Sequence, residues 1–328
     1  YYFRNAHVGK EEYQRRMWEI NFGKWSTLQT HREEYQSLKE KTPRKPFWNK
    51  NAENAIGNFI KNSKNVYFGN YVSDSEGVAY AFGHEIRDSA DISGLNLELC
   101  YELYNIIEGN SYHCLFSTKV EKSIDVEYSE LCRGCEHCFG CVGLANKQYC
   151  IFNQQYSEEE YWKRIDEIKT AMLERGEYGE FFPPQFLVSP YRISLAAAYI
   201  GFDDFEIAAS YGYDTSGIRR DPPPPAKKSL LAEDLPDDIR DVSDDIVGNI
   251  IVDGDDKQFK IIKPELAFYR THNLPLPRQH PSTRMHSWYK ELDLRYTFYE
   301  RPCAQCGSII TTGYDPQRPE VVYCEECY

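Results

Sequence analysis

The cysteines are the residues of this chain best suited to chemistry, and four of the eleven stand in a pattern with a specific meaning. Two residues separate Cys303 from Cys306, two separate Cys324 from Cys327, and seventeen lie between the pairs. Two such knuckles place four thiolates around one tetrahedral Zn²⁺. Gly307 follows the first knuckle, where a tight turn is best made without a Cβ. Ile309-Ile310 and Val321-Val322 are the expected ribbon strands. Four sulfur ligands fill the coordination shell and leave no position for water or substrate. The expected cofactor is therefore a structural zinc. Redox chemistry is the competing reading of CxxC, but two pairs at ribbon spacing favour metal.

A second run, Cys132-x2-Cys135-x2-Cys138-x2-Cys141, resembles part of a ferredoxin iron–sulfur pattern. Its competitor is a packing role, because buried cysteine behaves as a small hydrophobe. The same register carries Val, Ile and Ser elsewhere, which favours the packing role over metal. His137, inside this run, is expected to face outward. His31-x-Glu33 with Pro302-Cys303-x2-Cys306 spells a zinc-deaminase pattern. Its halves fall in different parts of the chain, and both cysteines already have partners in Cys324 and Cys327, so it is rejected. His272, His280 and His286 could add ligands, although surface histidines without a ligand role are commoner. GxSxG, GxGxxG, Walker A and HExxH motifs are all absent, and no catalytic residue is assigned.

The element that positions the second cysteine run is a repeat. Ile60, Val66, Val72 and Val78 are each six residues apart. Ile86, Ile92, Cys100, Ile106 and Cys114 alternate steps of six and eight, and the six-residue step resumes through Val120, Val126, Cys132, Cys138, Leu144 and Cys150. Small residues such as Ser63, Gly69, Ser117, Ser123 and Ser129 fall midway. A helix of 3.6 residues per turn has no reason to keep a six-residue step, whereas a coil of short strands does. The predicted fold class is a mixed α/β multidomain chain: a three-faced β-solenoid (β-helix) with capping helices and a C-terminal zinc ribbon. Grouping the anchors by threes predicts coils of 18 to 22 residues. One face then stacks Val66, Ile86, Ile106, Val126 and Leu144. A second stacks Val72, Ile92, Cys114, Cys132 and Cys150, and a third Val78, Cys100, Val120 and Cys138.

Tyr1–Ile20 aligns without a gap to Tyr149–Ile168, with eight identities including Asn5/Asn153 and Tyr13/Tyr161. The second copy ends the solenoid and enters a helix, so the first is expected to end an earlier solenoid, most of which the chain does not include. Ser157 with Glu160 forms a capping box, and Tyr161, Ile165, Ile168 and Met172 share one face of a helix ending near Gly176. Its expected role is to cover the open end of the solenoid, which would otherwise expose strand edges. Residues 24–42 predict another helix, stopped by Pro43. Ser194 and Asp203 or Asp204 are expected caps of short helices. The expected units are 1–50 (end of an earlier module and helical linker), 51–156 (solenoid), 157–220 (helical cap and loops), 221–249 (Pro-rich, acidic linker) and 250–328 (hairpin and zinc ribbon). Pro222–Pro225 is read as a stiff spacer. The acidic stretch after it does not match a calcium loop, and Ile250–Val252 with Phe259–Ile262 predict a hairpin around Asp253-Gly254.

The chain has 328 residues and a net charge of −13, which disfavours general phosphate binding. It holds no apolar run long enough for a transmembrane helix, so no membrane role is expected. Seven cysteines on the solenoid register argue against a disulfide framework and for a reducing compartment, the cytoplasm. The absence of an initiator Met suggests a piece of a longer chain.

The run CRGCEHCFGCVGLANKQYCIFNQQYSEEEY, the later GEYGEFFP, ELAFYRTHNLPLP and the terminal CAQC…VYCEECY resemble an uncharacterised Cys-rich zinc-ribbon family of uncultured ultra-small bacteria. The resemblance implies architecture and metal, not an activity. It also implies a C-P-x-C-R knuckle near His280-Pro281-Ser282-Thr283-Arg284, where this chain has neither cysteine. Function is expected to be non-enzymatic: a structural or scaffold protein that binds a protein partner or self-assembles. A β-helix carbohydrate-binding or carbohydrate-processing enzyme is the alternative, with Asp88, Asp91, Asp125 and Glu127 as a possible acidic face. Nucleic-acid docking by the ribbon, through Arg301 and Arg318, is a third reading that the acidic balance weakens.

Overall fold

The computed structural model describes residues 1–104, 109–186, 190–194, 196–197, 202, 204–217, 228–292 and 297–328. Its middle is a β-solenoid of about eight coils, with strands from Lys50–Asn58 to Gln148–Ile151 stacked in parallel. The coil is built on a three-residue rhythm. From Lys119 to Phe152 every third residue takes a left-handed φ, as at Lys122, Asp125, Tyr128 and Leu131. As far as Cys141 the residue that follows each points inward: Val120, Ser123, Val126, Ser129 and Cys132 are all fully buried. A left-handed residue bends an extended chain sharply, at a cost of roughly 1–3 kcal/mol for a side chain other than glycine. The stacking on either side of each coil must offset that cost at Tyr128 and Leu131 as well as at the more tolerant Asn146.

Four such bends close one coil. Cys114 stacks on Val126, Val126 on Cys138 and Cys138 on Cys150, each twelve residues apart. The earlier coils keep a step of eleven or twelve, as Ala55 to Val66 to Val78. One coil is longer: Tyr101 pairs with Leu115. The three-faced coil of 18 to 22 residues is therefore wrong. A six-residue step is half a coil, so Val66 lies beside Val78 and not beside Ile86. Val72, Ile92, Cys114 and Cys132 do all lie in one buried core, but not in one stack. The irregular steps near Ile92 arise because Leu97 and Leu103, each 1% exposed, supply inward positions that the six-residue count passed over. Ile106 lies outside the described residues.

The midway residues are inward too, and they carry hydrogen bonds. Ser117 Oγ donates to Leu115 O (2.7 Å) and accepts from Ser129 N–H of the next coil (3.0 Å). Ser129 Oγ donates to Glu127 O (2.8 Å) and accepts from Cys141 N–H (2.9 Å). Cys141 continues the column, its thiol donating to Phe139 O and accepting from Asn153 N–H, both at 3.4 Å. Buried polar atoms without partners are costly, and this ladder gives each one.

At the C-terminal end, Gln154–Gln155 folds back antiparallel on Cys150–Ile151 and pairs that one side of the last coil. The helix α3 (Glu158–Glu174) starts at Ser157, whose Oγ accepts from Glu160 N–H. It lies on the outer side of the last coils rather than over their end: Tyr161 and Ile165 pack with Phe139 and Ile151. The expectation that this helix covers the open end is corrected accordingly: it packs on outward residues of the last two coils.

Before the solenoid come a hairpin, β1 (Tyr2–Phe3) and β2 (Ala6–His7), then α1 (Lys10–Glu19) and α2 (Trp25–Lys41). After it, α4 (Phe205–Ser210) is capped by Asp204. The short helix expected to start at Ser194 lies largely outside the described residues, as do Asp203 and Pro222–Pro225. A second core then forms. Ser229–Leu231 runs parallel to Ile250–Val252, which pairs antiparallel with Gln258–Phe259. The acidic stretch between the first two strands is not a linker. Its apolar residues Leu235, Ile239, Val242 and Ile246 are buried with Ile251, Phe259 and Leu266 of α5 (Lys263–Thr271). Acidic residues at short helical turns hid an apolar face that is irregular in period. The helix α6 (Pro281–Leu292) leads to the C-terminal hairpin, Tyr299–Pro302 with Ile309–Thr312.

Candidate metal centre

Cys303, Cys306, Cys324 and Cys327 converge at the end of this hairpin. Their sulfur atoms all lie within 4.8 Å of one another. The first knuckle leaves the strand at Pro302 and turns back at Gly307, which has φ +79° and donates its N–H to Cys303 O (3.0 Å). The second is a turn in which Cys327 N–H donates to Cys324 O (3.2 Å). The two are sewn together: Cys324 N–H points at Cys303 Sγ (3.2 Å), and Ala304 N–H donates to Val322 O (2.9 Å). Cys306 and Cys324 sulfurs are 3.8 Å apart. A tetrahedral metal with sulfur at about 2.3 Å needs sulfur–sulfur edges of about 3.8 Å. The donor set therefore fits one metal ion with four sulfur ligands.

The backbone favours the ligand form of the first knuckle. Backbone N–H donors, Cys306 foremost, hold the Cys303 thiol down at about 6, and Ser308 lowers Cys306 through its hydroxyl. Cys303 is buried and Cys306 exposed, so the centre has a solvent-facing side for metal entry.

Val321-Val322 does not form the second ribbon strand. The partner of Ile309–Thr312 is Tyr299–Pro302, which precedes the first knuckle. Val322, fully buried, instead bridges in parallel to Arg44 in the segment leading into the solenoid. Arg44 N–H donates to Val321 O and Tyr323 N–H to Arg44 O, both at 2.9 Å. Thr312 Oγ1 donates to Pro46 O (2.8 Å), and Trp48 Nε1 donates to Tyr314 OH (3.2 Å). The cysteine centre is thus anchored to the first coil. Sequence offers no signal for this contact, because its two sides are more than 260 residues apart.

The other cysteine run is interior. Cys132, Cys135, Cys138 and Cys141 occupy the four inward positions of one coil, each at most 2% exposed. Each thiol donates to a carbonyl two residues back, as Cys132 to Glu130 O and Cys138 to Glu136 O, both at 3.6 Å. Burial pushes Cys132 up to about 11, which keeps it a thiol at neutral pH. All eleven cysteines are free. Among the described residues, only the C-terminal four gather as metal ligands.

The remaining candidates disperse. His31 pairs with Glu34 Oε2 (3.0 Å) on α2. His272 packs on Phe268, and His280 is held by Asp253 and Ser282. Neither these nor His286 joins the cysteine group. His137 faces away from the interior, as expected, yet it is covered, stacked on Tyr149 and edge-on to Trp162. Asp125 sits between His113 (2.5 Å) and His137 (3.1 Å) in successive coils. The sequence reading missed this column, although 113, 125 and 137 share the twelve-residue step. Glu127 is buried beneath α3, bound by Lys169 Nζ (2.5 Å) and Tyr178 OH (3.0 Å). Asp88 and Asp91 stand at different bends of an earlier coil. Arg301 donates to the carbonyls of Asp315 and Glu320, and Arg318 pairs with the Glu320 carboxylate. Both arginines are committed to their own loop. No helix among the described residues is long and apolar enough to cross a membrane.

No protein-family description matches the chain, and no curated protein is significantly similar to it in sequence.

Proposed function

We propose that the chain is a non-enzymatic scaffold that docks a protein partner on its solenoid, with a zinc ribbon as a structural brace. One outward column carries this reading. In the later coils Phe139 and Ile151 stand in register on that column and receive α3. In the first coils the corresponding kind of column, Ile56–Tyr67–Ala79, is open to solvent: Ile56 is 47% and Tyr67 48% exposed. Tyr80, 47% exposed, extends it at the neighbouring bend, its ring edge-on to Tyr67 at 5.6 Å. Exposed contiguous apolar surface on a rigid frame suits protein docking, and the chain itself uses such a column to seat a helix. The dispersal of Asp88, Asp91, Asp125 and Glu127 weighs against a carbohydrate-cleaving pair, and the engagement of Arg301 and Arg318 weighs against nucleic-acid docking. Eleven free thiols fit a reducing compartment such as the cytoplasm.

Zinc is the metal that four cysteines at this spacing suit best. Its role would be to cross-link the two knuckles and thereby hold Arg44 and Pro46 against the ribbon. The similarity of the cysteine runs to the Cys-rich zinc-ribbon family fits the same reading.

The test is recovery of the tagged chain from its native source, alongside a Tyr67→Glu/Tyr80→Glu variant. The expected result is a stoichiometric partner on the wild type that the variant loses without a change in Tm. A wild-type chain recovered alone, or a variant that keeps the same partner, would contradict the scaffold reading.

A further inference from the structure

The N-terminal hairpin reproduces the last turn of the solenoid bond for bond. Tyr2 pairs with His7 and Phe3 with Ala6; 148 residues on, Cys150 pairs with Gln155 and Ile151 with Gln154. Arg4 and Asn5 have φ +51° and +60°, and their counterparts Phe152 and Asn153 have +48° and +67°. Val8 N–H donates to Tyr1 O (2.9 Å) as Tyr156 N–H does to Tyr149 O (3.0 Å). The rings of Tyr1 and Tyr13 are 5.3 Å apart, those of Tyr149 and Tyr161 5.7 Å. The following helices correspond as well, α1 to α3.

What differs is the layer beneath. Cys150–Ile151 lies parallel on Cys138–Phe139 of the preceding coil, and Phe152 N–H donates to Phe139 O (3.0 Å). Among the described residues β1 pairs with β2 alone, so its other edge is open. Phe139, Ile151, Tyr161 and Ile165 form one buried cluster. Phe3, Tyr13 and Met17 are the counterparts of three of these, and among the described residues no strand pairs with β1 as Cys138–Phe139 pairs with Cys150–Ile151. α1 buries no residue, whereas α3 buries Tyr161 and Ile165. A groove of about 860 Å³ opens beside Phe3, Met17 and Ile20, bounded on its far side by Tyr35 and Leu38 of α2.

We infer that Tyr1–Glu19 is a docking cap for the open edge of another β-solenoid stack. The occupant is a parallel coil of the same three-residue rhythm. It presents a small inward residue where Cys138 stands and a large apolar outward residue where Phe139 stands. A second copy of this chain cannot supply it from the corresponding place, because that edge of its own solenoid is already covered by residues 148–155. An unpaired edge strand favours added strands of matching register, and the β-pairing at Cys138/Cys150 is the template. The assignment holds whether the solenoid is a scaffold or an enzyme.

The test uses the chain's own coils as the probe. Residues 51–148 are fused directly before Tyr1 of the full chain, in the register that Gln148–Tyr149 has naturally. Hydrogen exchange is followed by mass spectrometry. Residues 1–19 are expected to exchange at least tenfold more slowly than in the unfused chain, with the grafted Cys138–Phe139 amides as protected as in the native copy. A fusion lengthened by one glycine at the junction is expected to give no such protection, since in a coil with an inward residue at every third position a one-residue slip moves the inward set out of register with the layer beneath. The inference is overturned if the grafted coils are protected while residues 1–19 exchange as before, if the grafted coils stay unprotected, or if the slipped fusion protects equally.

Discussion

Replacing Ser129 tests whether the solenoid interior is a hydrogen-bonded ladder or merely a place for small side chains. Ser129 is fully buried, and its Oγ both donates to Glu127 O and accepts from Cys141 N–H of the next coil. Ser129→Ala removes that acceptor and leaves a buried amide without a partner, at a cost of about 1–3 kcal/mol. Ser129→Cys keeps a donor and an acceptor in place, as Cys141 does one coil later in the same column. Its cost should stay below about 1 kcal/mol, set by the larger sulfur. The assay is urea denaturation of the full chain, with exchange of the Cys141 amide as a local readout. The expected order of stability is wild type, then Cys, then Ala at unchanged m-value. The Cys141 amide should exchange roughly tenfold faster for each 1.4 kcal/mol lost in the Ala variant. An Ala variant as stable as the wild type, or less damaged than the Cys variant, would refute the ladder.

Three further outcomes follow from contacts elsewhere. Lys169→Met should destabilise the chain by roughly 1–3 kcal/mol, less than a fully buried pair would lose because Lys169 is partly exposed; it strands the buried Glu127 carboxylate, and Glu127→Leu/Lys169→Met should recover most of the loss in a denaturation series. Asp238 is buried, and Arg240 holds its carboxyl below the usual range. A depressed folded value stabilises above the unfolded value of about 3.9 and is lost as pH falls through the folded one, so Asp238→Asn should lose stability at pH 7 and show a flatter acid limb of Tm against pH. Metal removal by a chelator should speed amide exchange at Arg44 and Val321–Tyr323, which the cysteine knuckles hold together, while the Cys132–Cys141 coil stays protected.

The six-residue step announced a solenoid because Val, Ile and Cys recur where the interior demands them. It did not announce how many steps close a coil. That number is set by left-handed bends, and residues as different as Lys122, Tyr128 and Leu131 adopt them. Asn, Asp and Gly mark many of the bends, as at Asn62, Asn65 and Asp125, but Lys, Tyr and Leu break the pattern, and the stacking of Cys114, Val126 and Cys138 reveals twelve. Ser and Cys at the midway positions were readable as small; their role as acceptors for the next coil was not, because it depends on which backbone N–H lies above. The gathering of Cys303, Cys306, Cys324 and Cys327 was fully legible, since CxxC constrains both knuckles locally. Their anchoring to Arg44 and Pro46 was not, as it joins distant segments through backbone atoms.

The most direct test of the account is the metal content of the purified 328-residue chain, with X-ray absorption at the metal edge. One zinc per chain is expected, bound by four sulfurs at about 2.3 Å. Cys303→Ser/Cys306→Ser should abolish it, and Cys132→Val/Cys138→Val should leave it intact. Iron, a second metal on the interior cysteines, or nitrogen or oxygen in the zinc shell would contradict the division between packing thiols and metal-binding thiols.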